Sequence, residues 1–161
     1  MFRVNLSMPT DELFLSNVLT QNPQTRDIFR GVFSINELVH KPTTLPAAYI
    51  YNTLPRSSKS VGHWVCIYVN SDWGIEYFDS YGLRPPRKLL ALMKQWSTNV
   101  VWNKLRFQTY LSNVCGLYVL YYIHFKCYGW SLQQIQRHFD SNSITNDNFV
   151  SKAIKSLITF L

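Results

Sequence analysis

Cysteine is scarce in this chain of 161 residues: Cys66, Cys115 and Cys127 are an odd set with no C-x-x-C pair. That excludes the paired framework of a small disulfide-stapled domain and the usual ligand spacing of a zinc module. His63 and Cys66 are three apart, but on a strand that odd spacing sends them to opposite faces. His124 and Cys127 lie one helical turn apart with no second pair to complete a metal site. Acidic residues are also few, nine against sixteen Lys and Arg, for a net charge of +7. No apolar run reaches transmembrane length, and Met1 to Pro9 carries no signal-peptide pattern. Internal repeats and a second-domain linker are lacking as well, so one domain over 1–161 is expected.

What is present is core material. Hydrophobic residues make up 47% of the chain and aromatics 16%, which excludes a disordered tail. The basic excess favours polyanion contact, although Arg56, Lys59, Arg84, Arg87 and Lys88 are scattered rather than gathered in one linear patch.

The order of elements reads as α+β. A first helix is expected from Asp11 to about Gln21, capped by Thr10, with Asn22-Pro23 ending it. Ala47–Thr53, Trp64–Val69 and Ile75–Phe78 have strand composition. Asn70–Gly74 reads as a hairpin turn whose glycine supplies the positive φ. Arg87–Trp96 has helical spacing, and Val100–Phe107 is strand-like. A helix from Cys115 to about Tyr128 should end at Gly129. Ser131 with Gln134 forms a capping box, and a last helix is expected from about Asp147. The sheet should be mixed and mainly antiparallel. It should pack on the Cys115 helix, with further helices at the C-terminal end.

Chemistry concentrates in Ser112-Asn113-Val114-Cys115-Gly116-Leu117, which opens that apolar helix just after two good capping residues. A helix N-terminus favours an anion and therefore a thiolate. Alone, such a cysteine is better explained by packing. His63 stands at the mouth of a strand, a rigid place for a general base. Asp79 ends the neighbouring strand, where it can orient an imidazole or cap the Ser80–Gly82 turn. Gln108, seven residues before Cys115, can donate to an oxyanion beside the Cys115 N–H. Nucleophile, base, orienting acid and oxyanion donor are each represented once, as acyl transfer through a thioester requires.

This order resembles the adenovirus maturation protease (adenain) family, in the clan that includes the SUMO and ubiquitin-like-specific proteases. The resemblance rests on Phe29–Ser34, Ala47–Thr53, Gly62-His63-Trp64, Tyr77–Gly82 and the Gln108-to-Cys115 interval. It covers roughly residues 10 to 130. It implies a cysteine endopeptidase with Cys115 as nucleophile, His63 as base, Asp79 as third member and Gln108 in the oxyanion hole. It further implies cleavage of capsid or core precursors at small or Gly-rich sites, and DNA as an activator, with no other cofactor. A monomer in a reducing compartment, host nucleus or virion, is expected. One family feature is missing. No cysteine lies between Cys66 and Cys115, so the disulfide to an activating viral peptide cannot form there. Two alternatives stay open: a ubiquitin-like-protein isopeptidase of the same clan, and a nucleic-acid-binding module without catalysis.

Overall fold

The computed structural model describes residues 10–161. The segment 1–9, read above for its lack of a signal-peptide pattern, lies outside the described residues.

The sheet grows from β3 (Trp64–Val69), a run of aromatic and β-branched residues that is buried along its whole length. Burial on both faces explains why this strand is apolar throughout instead of alternating. Antiparallel neighbours flank it: β2 (Ala47–Asn52), with Ile50 opposite Cys66, and β4 (Ile75–Phe78), with Phe78 opposite Cys66. Both edges are parallel. β1 (Phe29–Ser34) runs beside β2, and β5 (Val100–Trp102) runs beside β4. Among the described residues the sheet has five strands in the order β1-β2-β3-β4-β5. The fold is α+β with a mixed sheet, as its pattern of elements implied.

Helices cover both faces. α2 (Arg87–Trp96) makes the crossover from β4 to β5 and buries Leu89, Met93 and Trp96 against Tyr49, Ile67 and Tyr77. On the opposite face lies α3 (Cys115–Cys127), apolar around nearly all its circumference. The reason is its position: it is enclosed by the sheet, α1 (Glu12–Gln21), α4 (Leu132–Gln136) and α5 (Ser143–Thr159). Two contacts fix α3 on β4. Phe78 stacks on Tyr122 with ring centroids 4.5 Å apart and planes 5° from parallel. Farther along, the buried Lys126 Nζ donates to Glu76 Oε1 at 3.0 Å, and the Tyr122 hydroxyl donates to Glu76 Oε2. Tyr122 is two turns from Cys115, about 10 Å along the axis. The stack therefore positions the head of α3 relative to the β4 end that carries Asp79.

Several local expectations are corrected. α1 is capped by Asp11, whose side chain accepts the Phe14 N–H, and not by Thr10. The Thr10 carbonyl accepts Trp64 Nε1 at 2.8 Å, while the buried Thr10 hydroxyl has no partner among the described residues. The hairpin's positive φ falls on Trp73, at 67°, because Asp72 Oδ1 takes the Gly74 N–H and fixes the turn one residue earlier. β5 stops at Trp102 because the Asn103 side chain turns to the Asp79 backbone. α5 starts at Ser143, four residues before Asp147, where the Asn142 side chain accepts from Ile144 and Thr145. The capping box at Ser131 and Gln134 is present. Among the described residues no helix is long and apolar enough to cross a membrane.

Candidate active site

Three elements converge at one end of the sheet. His63 immediately precedes β3, and its carbonyl accepts the Thr53 N–H at 2.9 Å, which extends the β2–β3 pairing to its backbone. Asp79 follows β4. Cys115 is the first residue of α3.

His63 Nε2 donates to Asp79 Oδ1 at 2.6 Å, in a setting where both side chains are largely buried. The other ring nitrogen, Nδ1, is not engaged by Asp79, and Cys115 lies close enough to act on the imidazole. Burial works against a charged imidazole here. The hydrogen bonds and charges of Asp79 and Cys115 outweigh it, and the His63 pKa is pushed up to about 9. The Tyr81 ring stacks on the imidazole at 4.3 Å, with planes 16° apart.

Asp79 performs both tasks that its sequence context left open. Its Oδ1 also accepts the Tyr81 N–H at 2.8 Å, and its carbonyl accepts the Gly82 N–H at 2.8 Å. It orients the imidazole and caps the turn at once. Asn103, buried, clamps its backbone from both sides: Oδ1 accepts the Asp79 N–H at 2.9 Å, and Nδ2 donates to the Asp79 carbonyl at 2.5 Å. Sequence reading missed Asn103, which it placed inside a strand. The available signal was an amide side chain directly after the apolar Val100-Val101-Trp102.

At Cys115 the helix begins without a side-chain cap. The N-cap residue is Val114, and Ser112 and Asn113 do not cap it. Ser112 is drawn instead to Gln108, whose Nε2 donates to the Ser112 carbonyl and hydroxyl, each at 3.1 Å. The consequence is chemical: the Cys115 and Gly116 N–H groups have no protein acceptor among the described residues. They are free to face an anion.

Gln108 is fully buried, and its Oε1 accepts the Ser80 hydroxyl at 2.6 Å. Its carboxamide is thus held between Ser80 and Ser112. To donate to an oxyanion it must give up one of its two contacts to Ser112. The loops that meet here are also joined by Phe107 and Gln108 N–H groups donating to the Ser80 carbonyl, at 2.8 and 3.1 Å.

Beside His63 the polar loop 53–62 is tied down. Asn52 Nδ2 donates to the Val61 carbonyl at 3.0 Å, and Oδ1 accepts the Leu54 N–H at 2.9 Å. A Cβ at Gly62, where φ is +76°, would stand 2.0 Å from that Oδ1, so only glycine fits under this clamp. Arg56 pairs with Glu12 and Glu37, linking the loop to α1 and the end of β1. Between them lies a cavity of about 380 Å³, with Asn52, Arg56, Val61 and Trp64 in its wall. Neither His63 nor Cys115 lines it.

All three cysteines are free thiols. Burial pushes the Cys66 thiol far up and that of Cys127 to about 11, so neither competes as a nucleophile at neutral pH.

No family model matches the sequence, and no curated protein does. Among solved structures, ChlaDub1 from Chlamydia trachomatis matches with a TM-score of 0.51 and 16% identity, over 70% of this chain and 58% of that one. The chain shares the fold of ChlaDub1. This is the fold that the adenain-like resemblance implied. The ASFV pS273R protease matches at 25% identity with a TM-score of 0.48, over 65% of this chain and 43% of the other. The chain thus spans roughly half the length of these two structures.

Proposed function

We propose that this chain is a cysteine peptidase with Cys115 as nucleophile, His63 as general base and acid, Asp79 as orienting acid and Gln108 as oxyanion donor. One observation carries the reading. His63 is fixed through Nε2 by Asp79 at 2.6 Å, which leaves Nδ1 unengaged by Asp79, and Cys115, close enough to act on the imidazole, opens α3 at an uncapped N-terminus. A structural cysteine has no need of an imidazole held in this way.

In the mechanism, the Cys115 thiolate adds to the peptide carbonyl carbon, forming a C–S bond and moving the carbonyl electrons onto oxygen. The Cys115 N–H and a Gln108 N–H stabilise that oxyanion. His63 Nδ1 passes its proton to the amine as the C–N bond breaks, leaving a thioester. Water then gives a proton back to His63, attacks the thioester carbon and releases the carboxylic acid and Cys115. Asp79 keeps the proton on Nε2 throughout and favours the imidazolium.

Within this class we favour an endopeptidase of viral or transposon type, acting on structural-protein precursors at small or Gly-rich sites. Support comes from the resemblance carried by His63-Trp64, Asp79, Gln108 and Cys115-Gly116. An isopeptidase acting on a ubiquitin-like protein uses the same four groups and differs only in the leaving amine. Cleavage of a Gly-ended ubiquitin-like fusion in preference to a precursor peptide would move the assignment to that branch. The charge of +7 supports a separate proposal, DNA as an activator. Absence of DNA binding even at low ionic strength removes it.

The deciding experiment is alkylation of Cys115 by iodoacetamide across pH, followed by mass spectrometry, in wild type and His63→Ala. Fast labelling below pH 7 that is lost in the variant supports the reading. Labelling that rises only in the range of an ordinary thiol, in both proteins alike, overturns it.

A further inference from the structure

The two loops that carry Ser80 and Gln108 press together outside the site. A Cβ at Gly82 would lie 2.7 Å from the Leu105 carbonyl, so these backbones are in direct contact. Their outer face is unusually apolar. Leu111 is 96% exposed, Leu105 and Tyr110 62%, and Leu83 52%. Scattered single leucines need no explanation, but these four share two touching loops. The face is continuous with the site, because Tyr110 packs on Tyr81 at 5.0 Å and Tyr81 stacks on His63.

Beyond Asp79 the two loops carry charge of one sign. Between Asp79 and Asp140 the sequence has no carboxylate. Arg84, Lys104 and Arg106 are exposed on the same loops, and Arg106 lies over the Tyr110 ring at 4.4 Å. Aliphatic side chains offer nothing to a phosphate backbone, and Tyr81 already spends a face on His63. The mixture suits a polypeptide better than a nucleic acid.

We infer that this face, Leu83, Leu105, Tyr110 and Leu111 edged by Arg84, Lys104 and Arg106, docks an acidic, apolar segment of the protein substrate beside the scissile bond. The inference rests on the peptidase reading above and adds a substrate class to it. Leucine and tyrosine bury the segment's apolar side chains, and the three cations pair with its carboxylates.

The test is fluorescence anisotropy with the full chain carrying Cys115→Ala, which retains the face without turnover. The probe is a fluorescein-labelled peptide alternating Glu with Leu and Phe. Its controls are the same peptide with Lys for Glu, oligoglutamate, and a single-stranded oligonucleotide. The Glu peptide should bind at least about tenfold more tightly than each control. Adding Lys104→Glu with Arg106→Glu, or Leu111→Ser with Leu105→Ser, should remove about a factor of ten. Equal binding of the Glu and Lys peptides, or preference for the oligonucleotide, overturns the inference. So does indifference to both pairs of substitutions. Because binding is read without Cys115, failure here with intact Cys115 alkylation in wild type overturns the docking face alone. Failed alkylation with intact peptide discrimination overturns the peptidase reading alone.

Discussion

Asp79 Oδ1 stands 2.6 Å from His63 Nε2, and Asp79 is held by partners other than the imidazole. The Tyr81 N–H shares the same oxygen, and Asn103 holds the Asp79 backbone at both its N–H and its carbonyl. A carboxylate held by three bonds besides the imidazole keeps the Nε2 hydrogen of His63 on Asp79 and leaves Nδ1 for proton transfer. Preorganisation of this kind costs nothing at the moment of reaction.

Asp79→Asn keeps the shape but loses the charge, and turning its amide nitrogen to His63 takes Oδ1 away from the Tyr81 N–H. Its amide can present a hydrogen to Nε2 and so favours the wrong tautomer. We expect kcat to fall roughly a hundredfold or more, with KM little changed, and the pH for half-maximal Cys115 alkylation to rise. A kcat within twofold of wild type would show that Asp79 only caps its turn.

The His63 pKa, pushed up to about 9 from an ordinary value of 6.5, has a consequence for stability. The folded state binds this proton more tightly than the unfolded chain, so protonation favours folding. The contribution is fully present below pH 6.5 and is lost as pH rises through about 9. Urea midpoints of wild type and His63→Ala, measured at pH 6 and at pH 9.5, should therefore converge as pH increases. A gap that widens with pH would reverse the sign and mean that His63 is held neutral.

The meeting of His63 with Asp79 was legible because its signals are local. His63 and Asp79 bracket a hairpin, Trp64–Val69 with Ile75–Phe78, whose composition fixes the pairing, and pairing brings the two ends together. Cys115 announces itself by opening an apolar helix. What was hidden depends on long-range polar bonds. Nothing near Asn103 in sequence shows that its amide leaves the sheet for Asp79, 24 residues earlier. Ser112 looked like a helix cap and proved to be a partner of Gln108. The parallel pairing of β1 with β2 was also invisible, since residues 35–46 cross over without a helix. The early start of α5 was missed because its first turn offers only an exposed Ile144 among polar residues and the Asn142 cap alone marks it.

Gln108→Ala should lower kcat about a hundredfold while leaving substrate binding nearly intact, since the amide is needed only as oxygen gains charge. It also leaves the buried Ser80 hydroxyl without its acceptor. That adds a stability cost of about 1–3 kcal/mol. Thermal unfolding separates the two effects: loss of rate at a temperature where the variant is fully folded belongs to the oxyanion. Full turnover in a folded Gln108→Ala protein would remove Gln108 from the mechanism.

The pair Glu76 and Lys126 tests whether the anchoring of α3 is structural alone. Both side chains are buried, at 12% and 7% exposure, with Nζ and Oε1 3.0 Å apart. Lys126→Met strips the cation and leaves a buried carboxylate held only by neutral donors, Tyr122 and Asn70. The expected loss is about 3–5 kcal/mol. Adding Glu76→Gln removes the stranded charge and should recover much of it, a coupling that a double-mutant cycle measures directly. The pair lies three turns from Cys115, and the Phe78–Tyr122 stack stands between them. Turnover per folded molecule should therefore stay within a few-fold of wild type. A collapse of kcat in a folded double variant would mean that the ion pair, rather than the aromatic stack, sets where Cys115 meets His63.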